Sequence, residues 1–402
     1  MKNCKTRCVC ALILFWAACL VIAPLASGQN KYGPGVTDTE IKIGQTMPYS
    51  GPVTASAMIG KAQAAYFNMI NERGGINGRK IRFISLDDGY NPARTVEQTR
   101  KLVEQEEVLL IFGSLGTASN SVIRKYLNAK QVPQLLITSI GLKWNDPKHF
   151  PWTMAYPPSP RVEVQAFLHY LLREHPDAKI AVRYQNDDFG KDYLKTTKGL
   201  LGDKAARIIV AEASYEVTDP SVDSQVISLK ASGADTLLIA TTPKFGAFAV
   251  RKAYDIGWRP LQFIASPSTS VAAVLTLAGL EKSVGLLSAA YLKDPTDPAW
   301  QTDLGVIEWR AWMKHYHSKG DVSDWFNVLG HSAAQLVVEV LRRCGDDLTR
   351  ANVMKQAASL KEVDLTMLLP GIRINTSPTD FQPIEQAQLQ RFDGRRWVKV
   401  AD

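Results

Sequence analysis

The 402-residue chain reads as an α/β protein made of two doubly wound parallel-sheet lobes. Three observations predict this. Short apolar runs alternate with helical patterns almost from end to end, the signature of βαβ units and parallel sheets. The alternation is interrupted at Pro147, Pro151, Pro157, Pro158 and Pro160 and then restarts, so two copies of one architecture follow each other. The length is also sufficient for two lobes, each with its own core.

In the first block the spacing predicts strands over 41–44, 80–86, 108–112 and 134–137, and helices over 58–70, 92–104 and 119–130. Gly74-Gly75 ends the first helix, as glycines do at helix C-termini. The second block predicts strands over 179–184, 207–211, 236–239, 262–265 and 284–290, with helices over 162–173, 191–201, 221–231, 245–256 and 270–277. After Pro295 and Pro298 come three helical stretches, 299–317, 325–343 and 348–360, in which Trp300, Trp309 and Trp312 read as packing residues. The tail, 388–400, reads as a hairpin turning at Asp393-Gly394.

The N-terminus carries Lys2, Lys5 and Arg7, an apolar stretch over 9–25, and small residues at Ala26-Ser27-Gly28. That order predicts a cleaved signal peptide over 1–28 and export to the periplasm. Trp16-Ala17-Ala18-Cys19 loosely resembles a lipid-attachment box, the alternative fate of such a leader. Cys4, Cys8, Cys10 and Cys19 leave with the leader, so Cys344 stands alone and reads as a small buried residue. Losing Lys2, Lys5 and Arg7 lowers the net charge from +8 to +5. No dense basic run with interleaved aromatics occurs, so nucleic acid is not an expected partner.

The stretch 109–120, Leu-Leu-Ile-Phe-Gly-Ser-Leu-Gly-Thr-Ala-Ser-Asn, carries the most chemistry. An apolar strand stops at Gly113 and leads into a helix, with Thr117, Ala118 and Ser119 in its first turn. Unpaired N–H groups there, at the carboxyl edge of a parallel sheet, suit a carboxylate or other small anion. An ordinary helix cap is the competing reading. The next junction, 135–144, again places hydroxyls and free backbone beyond a strand, at Thr138, Ser139, Ile140, Gly141 and Leu142. The second block answers with 184–191 and 241–245 from its own strand ends, so two facing lobes can enclose a ligand.

Enzymatic chemistry finds no constellation. The histidines are His149, His169, His175, His315, His317 and His331, and none joins a cluster with metal-ligand spacing. No Gly-x-Ser-x-Gly elbow or Walker-type loop occurs. The acid pairs Asp87-Asp88 and Asp187-Asp188 each follow a strand and read as helix-start residues. No catalytic residue, metal or cofactor is therefore expected.

Residues 43–52 (Ile-Gly-Gln-Thr-Met-Pro-Tyr-Ser-Gly-Pro) and 71–78 (Asn-Glu-Arg-Gly-Gly-Ile-Asn-Gly), together with Asp87-Asp88, Asn91-Pro92 and the 113–120 junction, carry a likeness. They resemble the periplasmic solute-binding proteins of the Leu/Ile/Val-binding type. The resemblance implies the type I periplasmic binding protein fold, two lobes joined by three crossings that close around a ligand. It implies a first lobe over 38–156 and 292–372 and a second over 157–291 and 373–402. It implies a monomer that delivers a small-molecule carboxylate to an inner-membrane ABC permease. A sensory or regulatory module of the same fold, taking amides or small acids, is the alternative.

In amino-acid-binding members the ligand carboxylate is gripped at the position of Thr117 and by an N–H near Gly141–Leu142. The ammonium is held by a carbonyl near Ile140, a threonine hydroxyl at the position of Leu142, and an acid near Pro267 or Ser268. Here Leu142 has no hydroxyl, and 265–269 contains no acid. A buried ammonium without a counter-charge costs several kcal/mol, about what a pocket cannot absorb. The expected ligand is therefore an aromatic or hydrophobic acid in preference to an α-amino acid. Its expected contacts are Tyr49, Thr117, Ala118, Ser139, Ile140, Gly141, Leu142, Phe189, Thr241 and Ser268, with Tyr156 as a further apolar wall. The loop Asn186-Asp187-Asp188-Phe189-Gly190 resembles that of a subgroup, and the cysteine pair of some members is replaced by Gly89 and Gly116.

Overall fold

The computed structural model describes residues 31–400. The expected signal peptide over 1–28 lies outside the described residues. Among the described residues no helix is long and apolar enough to cross a membrane.

In chain order the strands are β1 (Lys31–Tyr32), β2 (Glu40–Met47), β3 (Lys80–Asp87), β4 (Leu110–Phe112), β5 (Gln134–Ile137), β6 (Thr153–Ala155), β7 (Ile180–Gln185), β8 (Ile209–Tyr215), β9 (Thr236–Ala240), β10 (Leu261–Ile264), β11 (Leu287–Ala290), β12 (Asp347–Leu348), β13 (Gln388–Phe392) and β14 (Trp397–Lys399). The helices are α1 (Ala57–Glu72), α2 (Pro92–Arg100), α3 (Thr117–Ala129), α4 (Pro160–Glu174), α5 (Asp188–Leu201), α6 (Ala205–Ile208), α7 (Asp223–Ala231), α8 (Pro243–Asp255), α9 (Thr276–Ala278), α10 (Leu304–Tyr316), α11 (Trp325–Arg343) and α12 (Arg350–Ala357).

Two sheets organise the two lobes. The first is parallel throughout, in the order β3-β2-β4-β5-β6. The second runs β14-β13-β11-β10-β9-β7-β8, parallel except for the hairpin β13-β14 at one edge. The central strands β4 and β9 are buried at every residue, which is why they read as unbroken apolar runs. The chain crosses between the sheets three times: from β6 to β7, from β11 towards α10, and from α12 to β13. Helix α11 returns to the first lobe, where its buried face packs on α1.

Several elements depart from the sequence pattern for local reasons. The helix expected over 299–317 is divided into a short turn at Pro298–Trp300 and α10. Asp303 starts the second piece afresh by accepting from the Val306 N–H at 3.0 Å. The helix expected over 92–104 is regular only to Arg100 and then widens over Lys101–Gln105. Trp309 and Trp312 are buried in the first-lobe core beside Tyr66 and His331, as packing residues are. Gly190 is required where α5 turns back on β7, because a Cβ there would stand 2.1 Å from the Gln185 carbonyl oxygen.

Candidate functional site

A cleft lies between the carboxyl ends of the two sheets, with about 540 Å³ of non-protein space when the part open to solvent is counted. The first lobe contributes Val53, Ser56, Ile59, Tyr90, Leu115, Gly116, Thr117, Thr138, Ser139 and Ile140, together with Trp325, Phe326 and Leu329 from the start of α11. The second lobe contributes Phe189, Thr242, Pro243, Ser266 and Pro267, while Pro157 and Tyr291 come from the crossings. No lining residue carries a charged side chain.

The first-lobe wall is rich in hydrogen-bond donors. Helix α3 opens at Thr117, and its cap is Gly116, which has no side chain to accept from the first turn. Among the described residues no backbone acceptor takes the N–H groups of Thr117, Ala118 and Ser119. Such a start carries partial positive charge. Gly116 is dictated twice, by φ +101° and by Tyr90, whose ring would lie 2.8 Å from a Cβ. The Thr117 hydroxyl is 2.8 Å from Ser139 Oγ and donates to the Ile140 carbonyl at 3.2 Å. Ser139 Oγ in turn accepts from the Trp144 indole at 2.9 Å.

The second-lobe wall is arranged differently. Glu163, in the first turn of α4, is fully buried behind Ser266. Its carboxylate accepts from Ser266 Oγ at 2.5 Å, from the Ser266 N–H at 3.1 Å and from the Tyr193 hydroxyl at 2.7 Å. Burial pushes the Glu163 carboxyl up, and these three donors pull against it. Nearby, Tyr215 donates to Gln185 Oε1 at 3.0 Å and accepts from the Thr242 N–H at 2.9 Å.

Contacts across the cleft hold the lobes together. Lys143 Nζ is 2.5 Å from Asp188, and the Leu142 N–H donates to Asp192 at 2.8 Å. Gln185 Nε2 donates to the Tyr90 hydroxyl at 3.4 Å, and Ser270 Oγ donates to Asp324 at 2.8 Å. Burial pushes the Asp324 carboxyl up to about 6.

Of the ten residues singled out from the sequence, Thr117, Ser139, Ile140 and Phe189 line the cleft. Six lie off its lining. Tyr49 turns its hydroxyl to Ser85 at 2.7 Å inside the first lobe. Ala118 follows Thr117 into the helix, and Gly141 lies against Trp144. Leu142 is exposed, with its N–H taken by Asp192. Thr241 is buried behind Thr242, and Ser268 donates to the Thr241 carbonyl at 2.7 Å. The acid pairs serve local turns: Asp88 accepts from Thr95 and the Tyr90 N–H, and Asp187 from Gln185 and the Gly190 N–H. Tyr90, Tyr291 and the start of α11 had no local sequence signal. Thr242 and Ser266 stand only one and two positions from the residues the sequence singled out.

The comparisons agree with this architecture. A family model described as periplasmic binding protein matches residues 40–396. A Leu/Ile/Val-binding protein homolog 7 of Brucella abortus (strain 2308) is 24% identical over 351 residues, covering 83% of this chain and 84% of that protein. A branched chain amino acid ABC transporter structure from Thermus thermophilus, with bound valine, superposes with a TM-score of 0.82 at 18% identity, over 91% of this chain and 97% of that one. A fatty acid ABC transporter substrate-binding protein from Thermomonospora curvata gives a TM-score of 0.78 at 21% identity, over 92% and 94% of the two chains. With the family match spanning nearly every described element, the chain belongs to the periplasmic binding proteins, a family of solute-binding proteins and not of enzymes.

Proposed function

We propose that this chain is the periplasmic capture component of an ABC importer, and that it closes on a small carboxylate whose body is aromatic or otherwise hydrophobic. The observation that carries the reading is the pairing of an uncapped α3 start at Gly116–Thr117 with a lining that holds no charged side chain. The free N–H groups at the α3 start, Thr117 first among them, suit the acid end. Val53, Ile59, Leu115, Phe189, Trp325 and Leu329 suit an apolar body. An ammonium finds no carboxylate in the lining, because Glu163 is covered by Ser266 and Asp188 is paired with Lys143. Relatives of this fold include one with bound valine and one described for fatty acids, so the architecture accommodates both kinds of ligand. The apolar, uncharged lining favours the second kind of head-and-tail chemistry. The leader over 1–28 and the periplasmic family are consistent with capture outside the inner membrane.

A thermal-shift panel tests this. Each skeleton (benzoate, phenylacetate, 3-phenylpropanoate, 4-methylpentanoate) is compared with its primary amide and with an α-amino acid of the same side chain. The expected result is that an unsubstituted acid raises the melting temperature most. A panel led by the amino acids contradicts the reading.

A further inference from the structure

The second-lobe wall withholds hydrogen-bond donors at Thr242, Pro243, Ser266 and Pro267. Pro243 and Pro267 have no N–H. The Ser266 N–H is taken by Glu163 and the Thr242 N–H by Tyr215. The two hydroxyls on this wall are directed by buried acceptors. Ser266 Oγ donates to Glu163 Oε1 at 2.5 Å, so its one proton is spent behind the wall.

A second relay fixes Thr242. Asp187 takes the Gln185 amide nitrogen at 2.7 Å, which leaves Gln185 Oε1 to accept from the Tyr215 hydroxyl at 3.0 Å. Having given away its one proton, the Tyr215 oxygen can only accept from Thr242 Oγ1, 3.0 Å away. Both wall hydroxyls therefore turn lone pairs, not protons, to the cleft.

We infer that Glu163 and Asp187 make the second-lobe wall an acceptor surface through Ser266 and Thr242, and that the ligand meets it with a neutral donor, a hydroxyl carried on its hydrophobic body. This rests on the reading of Thr117 as the carboxylate end. The ligand class is then a hydroxyl-bearing aromatic or hydrophobic acid, with its acceptor end on the first lobe and its donor end on the second. A neutral donor fits better than an ammonium, because Glu163 already receives three hydrogen bonds and Asp187 two, and neither carboxylate is part of the lining.

The test is calorimetric titration of the full mature chain with benzoate, phenylacetate and 3-phenylpropanoate, each as parent, as ring-hydroxylated isomers and as methoxy ethers. The expected result is one hydroxylated isomer binding at least ten-fold more tightly than its parent, with its methoxy ether weaker than the parent. In Ser266→Ala and, separately, Thr242→Val, the ratio of hydroxylated to parent affinity falls towards one in at least one of the two. Parents that bind as tightly as every hydroxylated isomer, methoxy ethers that match the hydroxyls, or a ratio unmoved in both variants overturn the inference while leaving the carboxylate reading intact. Amine-bearing analogues of the same rings outbinding the hydroxyls likewise overturn it. Failure of every carboxylate to bind defeats the underlying reading and this inference with it.

Discussion

At the first helical position facing the cleft, α3 has Thr117 and α8 has Pro243. Both helices follow a buried parallel strand, and both begin without a side-chain cap bond. Thr117 keeps a free N–H at the lining, whereas Pro243 has no N–H to offer. The same strand-to-helix junction thus offers a free N–H donor at the lining on one lobe and not on the other. One residue type at one position makes the difference, and the buried carboxylates behind the second wall extend it. In this fold, polarity is set by what stands one layer behind the lining as much as by the lining itself.

The contrast can be broken most severely at Glu163. Glu163→Ala leaves Ser266 and Tyr193 without their buried acceptor, and a loss of about 3–5 kcal/mol in unfolding free energy is expected. Denaturant midpoints measure it, and a loss below about 1 kcal/mol contradicts the account.

Asp324 joins the walls by accepting from Ser270, and its carboxyl is pushed up to about 6 by burial. The native state therefore holds this proton more tightly than the unfolded chain does. Its contribution is greatest below the ordinary carboxylate range and falls as pH rises to about 6. Asp324→Asn removes the titration, so wild type should lose roughly 3 kcal/mol relative to the variant between about pH 4 and 6. Parallel stability profiles for the two proteins refute this.

Thr117→Ala sharpens the comparison on the donor side. It keeps the N–H and removes the hydroxyl, and carboxylate affinity is expected to weaken by about 1–3 kcal/mol in calorimetry. Unchanged affinity returns Thr117 to the role of a helix start. The smallest effect belongs to Lys143→Ala. The Lys143–Asp188 pair is at the cleft mouth with Asp188 largely exposed, so under about 1 kcal/mol of closure energy is expected, declining with salt.

Much of this was legible in the residues. Buried strands such as 109–112 and the junction through Gly116 announce themselves because both obey local rules, apolar continuity for the strand and small residues before a helix. Thr117 followed from the same rules. The second wall was legible only to within a residue or two, since side chains alternate at a strand end and a slip of one position turns Thr242 into Thr241. Glu163 and Trp325 were not legible at all. Trp325 reaches the cleft from α11 and Glu163 backs its wall from α4, and no local pattern records which distant helix start will close or support a wall. Leu142 misled for a related reason: its N–H is free in the sequence but meets Asp192 of the other lobe once the two come together.

The central claim is that the cleft grips an acid by its carboxylate and makes no use of a charged amine. Calorimetry on one matched trio, an acid, its primary amide and the α-amino acid of the same side chain, tests it most directly, using whichever skeleton gives the largest thermal shift. The acid is expected to bind at least ten-fold more tightly than either companion. An amino acid that binds more tightly than its unsubstituted acid, or an amide that equals it, contradicts the account.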